Sequence, residues 1–478
     1  MTKQTKKLMK DIPAIRWMAL ALLAGAMFFS YIFMDILSPI QEHLQNIRGW
    51  DPHAYGNYAG SETFLNVFVF FLIFAGIILD KTGVRFTAIL SGIVMLAGAS
   101  LNWYAVTDAF FGSTFETYMT GNFNLPEAAW NITPFFAGMP ASAKLSAIGF
   151  MIFGCGVEMA GITVSRGIVK WFKGKEMALA MGVEMAIARV GVAVVFLGSP
   201  FIAKLGDTIS VSRPVAFGVI LLGVALISFI AYFFMDKKLE IQMGEGGEEK
   251  EEPFKIKDIG LILSSNGFWL VALLCVLYYS AIFPFQKFAN LMLQSNLKYT
   301  AEQASWVFFV FPLGAAAITP FLGNFLDKKG KGATMLILGA ILMILCHLTF
   351  ALILPLEMSH GIKVVIAYAA IILLGISFSL VPASLWPSVP KLIDNKVLGS
   401  AYALIFWIQN IGLYAFPMII GSVLKKSNQG ITVPTEYNFT NPMLLFALLG
   451  ILALFFGLWL KIVDKRKDYG LERPNIKK

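Results

Sequence analysis

Charge is scarce in this 478-residue chain. Only 14% of its residues are Asp, Glu, Lys or Arg, against about 25% in ordinary soluble domains. So few charges cannot cover a water-exposed surface of normal extent. Cysteine is nearly missing as well. Cys155, Cys275 and Cys346 sit in apolar runs at unrelated spacings, which excludes a disulfide framework or a cysteine metal site. The chain has no Gly-x-x-x-x-Gly-Lys-[Ser/Thr] loop to cradle a nucleotide phosphate, so an ATP-driven pump would need a partner's motor. It also lacks His-Glu-x-x-His, and no nucleophile and base share one depth. An enzyme, a metal and a cofactor are therefore not expected.

Apolar sequence fills the space instead, with 57% of residues hydrophobic. Twelve apolar runs, about 17–40, 57–79, 86–107, 145–169, 177–201, 214–235, 264–293, 302–326, 333–355, 363–389, 397–423 and 443–463, each approach the roughly 20 residues needed to cross a bilayer. Lipid cannot satisfy an open backbone, so all are expected to be helices. The expected fold class is an all-α membrane protein of two six-helix halves. Its divisions are a tail at 1–16, a first half at 17–235, a linker at 236–263, a second half at 264–463 and a tail at 464–478. The charged stretch Met243 to Asp258 marks the linker.

The net charge of +9 does not imply a nucleic-acid partner. Lys and Arg collect on the even-numbered connections and the tails, which puts both termini in the cytoplasm. The lipid bilayer is the partner this pattern implies. The loop from Thr107 to Ser142 is then external. Asn131-Ile132-Thr133 and Asn438-Phe439-Thr440 fit a glycosylation triplet, a pattern common by chance.

One signal occurs once in each half. "GIILDKTGVR" carries Gly76, Asp80, Lys81, Gly83 and Arg85; "GNFLDKKGKG" carries Gly323, Asp327, Lys328, Gly330 and Lys331. Two copies at equivalent places indicate internal duplication. The first glycine is expected to let a neighbouring helix approach, the aspartate to pair across a cytoplasmic gate, and the basic residues to face the cytoplasm.

Two charges stand out inside apolar runs. Glu158 and Arg189 flank the turn "KWFKGK" at similar chain distances. At 1.5 Å per residue both lie about 20 Å from that turn, near the middle of a ~30 Å core. A charge there costs about 2.5–3.5 kcal/mol on insertion scales. Either the two neutralise each other as a buried pair, or they clamp the ends of a zwitterion, carboxylate on ammonium and guanidinium on carboxylate. Asp35, near the outer end of the first run, fits an ammonium site, a gate or a cap. Glu62 and Asn66 at i, i+4 fit helix–helix hydrogen bonding, and Arg166 can snorkel to the surface. Tyr278 and Tyr279 precede Pro284, which is expected to break the seventh helix. Trp386-Pro387 and Gln409-Asn410 suggest similar cleft positions. His347 fits a core residue. A channel or a sensor is the rival class, and a proton-linked carrier of small organic anions the rival cargo.

These features resemble the major facilitator superfamily along nearly the whole chain. "WFKGKE", "MAIAR", "CVLYYSAIFPF", "SLWPSV" and "GSAYALIFWIQNIGL" resemble more narrowly a family of lysosomal dipeptide transporters. That resemblance implies the major facilitator fold, alternating access, a dipeptide cargo, and Glu158 and Arg189 as its binding charges. Glu184 stands where the family has glutamine. The N-terminal tail has no acidic dileucine sorting signal, so the expected address is the cell (inner) membrane of a prokaryotic relative. No motif specifies an accessory subunit.

Overall fold

The computed structural model describes residues 8–120, 134–243 and 259–474. The Asn131-Ile132-Thr133 triplet and residues 244–258 of the linker lie outside them. Among the described residues the elements are helices, with no strand. Eleven helices are long and apolar enough to cross a membrane. One of them, Phe71–Val106, counts twice because Gly83 interrupts it with φ 77° and ψ 169°. Its first part completes a crossing begun at Pro52–Ser61 and Phe64–Phe68. The crossings are α1 (Pro13–Met34), α2 (52–82, in pieces), α3 (84–106), α4 (Ala141–Phe172), α5 (Met177–Ala203) and α6 (Ser212–Met243). The second half holds α7 (Asn266–Leu297), α8 (Ala301–Lys329), α9 (Gly332–Leu348), α10 (His360–Leu392), α11 (Leu398–Ser427) and α12 (Thr440–Lys467). Twelve crossings put both chain ends on one face, the terminal face; the opposite one is the far face.

The breaks fall where sequence did not place them. α7 runs unbroken through Pro284, and α10 and α11 run unbroken through Pro387 and Gln409-Asn410. A proline removes one backbone bond, which neighbouring helices can compensate. α2, with no proline at either break, stops at Glu62-Thr63 and again at Phe70, which is left-handed at φ 55°. The second half supports this break. Trp407 Nε1 donates to the Val67 carbonyl at 3.1 Å and its ring stacks on Phe70 at 5.2 Å. Glu62 and Asn66 therefore share no helix. Among the described residues the Asn66 side chain, 2% exposed, finds no hydrogen-bond partner, contrary to its expected role.

The halves meet at the far face. α2 packs on α11 and α5 on α8. Gly56 and Gly421 face each other so closely that a Cβ on Gly421 would stand 3.1 Å from the Gly56 Cα. Lys425 pairs with Asp51 at 2.6 Å and Lys204 with Glu302 at 2.7 Å, each from one half to the other. At the terminal face the picture reverses. A Cβ on Gly76 or Gly323 would meet nothing within 4 Å, so neither glycine is in the close helix contact expected of it. The structure is closed at the far face and parted at the terminal face.

Each half is tied at the terminal face in its own way. In the first, α6 runs past the expected end at 235 because its Asp236, 1% exposed, collects Lys170 at 2.8 Å, Trp171 Nε1 at 3.0 Å and Tyr232 Oη at 3.2 Å. Lys175 donates to Asp11 at 2.5 Å and holds that carboxyl below its ordinary range. In the second half the tail does this work. Residues beyond α12 fold back onto the duplicated loop. Lys331 and Gly332 N–H donate to the Glu472 and Leu471 carbonyls at 3.1 and 2.9 Å. The Glu472 carboxylate takes the Thr334 N–H at 2.8 Å, capping the start of α9 where orphan N–H groups point outward.

Candidate functional site

The two duplicated loops share one backbone feature. Gly83 and Gly330 both have positive φ, 77° and 71°, a region that glycine enters without steric cost. The motif thus places its glycine where the chain must turn. Asp80 pairs with Arg166 of α4 at 2.5 Å, within the first half. Sequence assigned Arg166 to the surface and Asp80 to a contact across a gate; in this state they hold each other. Arg85 reaches Glu240 at 2.5 Å, also within its half.

Glu158 and Arg189 are not paired with each other among the described residues. The helical hairpin of α4 and α5 presents both toward the second half, and neutral groups there hold them. Asn410 of α11 stands next to the Glu158 carboxyl from the second half. Arg189 donates to the Ala315 carbonyl at 3.0 Å and to Thr319 Oγ1, both on α8, and its guanidinium lies 4.7 Å over the Phe378 ring of α10. The self-neutralising pair is thereby excluded for this state. Beside Arg189 a cavity of about 140 Å³ opens, lined by Tyr31, Glu184, Tyr279, Gln286, Phe311 and Phe378 among others. The Tyr31 hydroxyl lies within electrostatic range of Glu158, Glu184, Glu62 and Arg189, so one phenol of α1 sits amid first-half charges of both signs.

The other sequence candidates divide. Tyr279 lines the cavity and accepts from Trp386 Nε1 at 3.1 Å. Tyr278 is wholly buried in the second half and donates to the Leu336 carbonyl. Gln409 accepts from Cys275 Sγ at 3.2 Å. His347 is buried between the rings of Phe285 and Phe446.

Asp35 belongs to a cluster that closes the far side of the cavity. Its carboxylate binds Lys287 Nζ of α7 at 3.0 Å, Gln286 Nε2 at 2.5 Å and Ser38 Oγ at 3.1 Å. Lys287 also reaches Glu62 at 3.9 Å and the Met34 carbonyl at 2.8 Å. Sequence reasoning passed over Lys287. The signal was present: it is a charge inside an apolar run, the criterion that singled out Glu158 and Arg189.

A family model described as Major Facilitator Superfamily matches residues 23–417 and 288–475. The chain belongs to the major facilitator superfamily. Among curated members of this superfamily it resembles the "Lysosomal dipeptide transporter MFSD1" of Danio rerio, 29% identical over 285 residues, covering 58% of this chain and 59% of that one. The Homo sapiens counterpart is 28% identical over 295 residues, covering 59% and 60%. The match thus spans about three fifths of each relative's length. Solved structures share the fold. A nucleoside transporter, NupG, aligns over 93% of this chain and 99% of its own with a TM-score of 0.66 at 12% identity. A D-xylose-proton symporter aligns over 93% and 97% with a TM-score of 0.62 at 13% identity.

The Asp80–Arg166 pair lies at the parted terminal face. Asp80→Asn is expected to slow transport several-fold with equilibrium ligand affinity little changed. Flux and binding measured on the same purified variant check this. A loss confined to affinity would remove Asp80 from the moving parts.

Proposed function

We propose that this chain carries short zwitterionic peptides, dipeptides foremost, across a membrane by alternating access. Glu158 takes the peptide ammonium and Arg189 its carboxylate. The observation that carries this reading is that two opposite charges face the second half, unpaired with each other, Arg189 lining a cavity and Glu158 near its Tyr31 wall. A buried charge held only by neutral groups is costly, and a zwitterion compensates both at once. The names of the curated relatives support the same cargo.

The far-face contacts and the parted terminal face describe one end state of the cycle. The other would break the Lys287 cluster and bring the two duplicated loops together. The distribution of basic residues favours a cell membrane setting with the terminal face cytoplasmic. Membrane-impermeant maleimide should then reach Ser113→Cys from outside intact cells, and labelling only after lysis would reverse the orientation.

Counterflow tests the cargo. Proteoliposomes loaded with unlabelled Ala-Ala should take up labelled Ala-Ala transiently above equilibrium, because a carrier returns faster when loaded. Saturable counterflow with dipeptides but not with dicarboxylates supports the proposal. Counterflow with dicarboxylates alone would favour the anion carrier, and unsaturable flux a channel.

A further inference from the structure

Among the described residues, four other than glycine have positive φ: Phe70, Lys298, Lys331 and Asp468. Phe70 alone lies inside a membrane crossing; the others sit at helix ends. Left-handed backbone costs a residue with a side chain a factor of about five to thirty. The duplicated fold does not require that cost. Ten residues before Asp80 stands Phe70, and ten before Asp327 stands Ala317, inside an unbroken α8.

The break is held from the other half. α2 lies on α11 from the far face inward, where a Cβ on Gly56 would strike the Pro417 carbonyl and one on Gly60 the Tyr414 carbonyl. Trp407 then donates to the Val67 carbonyl at 3.1 Å and stacks on Phe70. Six residues further, a Cβ on Gly76 would meet nothing within 4 Å. Asn66, between the two breaks, is buried with no partner among the described residues, an unusual state for a polar side chain.

We propose that Phe70 is a hinge of the transport cycle, left-handed while the terminal face is parted and helical once the far face opens, with Trp407 as the residue that positions the break. The inference rests on alternating access and not on the cargo. Strained backbone persists only where its surroundings fix it, and here the fixing group belongs to the half that moves. Opening the far face draws residues 52–68 off α11. The Val67 carbonyl then loses the Trp407 N–H, and inside a membrane it needs another donor. The Phe71 N–H is four residues on, and taking it winds the chain through Phe70 into one helix. The same winding turns the 64–68 piece and moves Asn66 out of its unpartnered seat.

Two cysteine reporters on the purified full-length chain test this through their rates of maleimide labelling. Ser422→Cys is shielded at the far face against His53, Gly323→Cys is open at the terminal face, and the three native cysteines are buried. Phe70→Gly and Phe70→Ala both remove the ring, so their difference isolates the backbone. Glycine enters the left-handed region freely and weakens a helix, whereas alanine does neither. Ser422→Cys should label at least about fivefold more slowly with Phe70→Gly than with Phe70→Ala. Gly323→Cys should label no more slowly, which separates a shift of state from general stiffening. Trp407→Phe keeps a ring but loses the N–H, and should speed Ser422→Cys labelling about two- to tenfold, the worth of one hydrogen bond. Level Ser422→Cys rates in the two Phe70 variants would overturn the hinge, and so would faster labelling with glycine. Wild-type counterflow, with dipeptides or dicarboxylates, separates this result from the carrier reading. Level rates with saturable counterflow drop the hinge alone. The expected rates without counterflow keep the hinge and drop the carrier, and level rates without counterflow drop both.

Discussion

Lys287→Met should open the far face and destabilise the closed fold by about 3–5 kcal/mol, the usual cost of removing one partner from a buried ion pair. The cost falls on Asp35, which is 1% exposed and keeps only Gln286 and Ser38 as side-chain partners once the ammonium is gone. Glu62 loses its nearest cation at the same time. Water relieves both carboxylates only if the halves separate. Part of the penalty should therefore emerge as a shift of state rather than as unfolding. A cysteine at Ser422, which contacts His53 across the halves at 3.0 Å, reports the shift through its rate of maleimide labelling. That rate should rise at least tenfold in Lys287→Met, and the melting temperature should fall. Adding Asp35→Asn should restore much of the melting temperature, because it removes the stranded charge. Unchanged labelling and melting in Lys287→Met would mean that the cluster locks nothing.

The second large effect concerns the clamp itself. Glu158→Gln should weaken a free dipeptide strongly and an N-acetylated one little, since the latter has no ammonium to lose. Arg189→Gln should do the reverse with C-amidated peptides. Each charged hydrogen bond is worth about 1.5–3 kcal/mol, so each matched loss should be about ten- to over a hundredfold in affinity. Arg189→Lys keeps the charge but gives up the planar guanidinium that can pair with a carboxylate two-pronged, so binding should weaken while the chain still folds. Comparing blocked with free peptides within one variant cancels general damage to the protein. Equal losses for both peptides would make Glu158 and Arg189 structural.

Hydropathy made the crossings legible, since twenty apolar residues have few other uses. The repeat of Asp80 and Asp327 announced two halves. Mid-depth charge pointed to Glu158 and Arg189. Pairing was harder to read. Arg166 looked like a surface anchor because its partner lies 86 positions away, and Lys287 was missed for want of a visible partner. The break in α2 has no proline to mark it. It depends on Trp407 of the other half, a contact that no local pattern announces. Pro284 misled in the opposite direction, because a helix packed on all sides absorbs one missing bond.

The folded-back tail sets an order on synthesis. The N-terminus of α9 is capped by a carboxylate 138 positions later, whereas Arg85 finds Glu240 within its own half. At about 5–20 residues per second, roughly seven to thirty seconds separate the synthesis of Thr334 from that of Glu472. The first half can complete its loop while the second is still being made. The second cannot do so until Glu472 has been added, and until then its exposed N–H groups must be satisfied by water or by the insertion machinery.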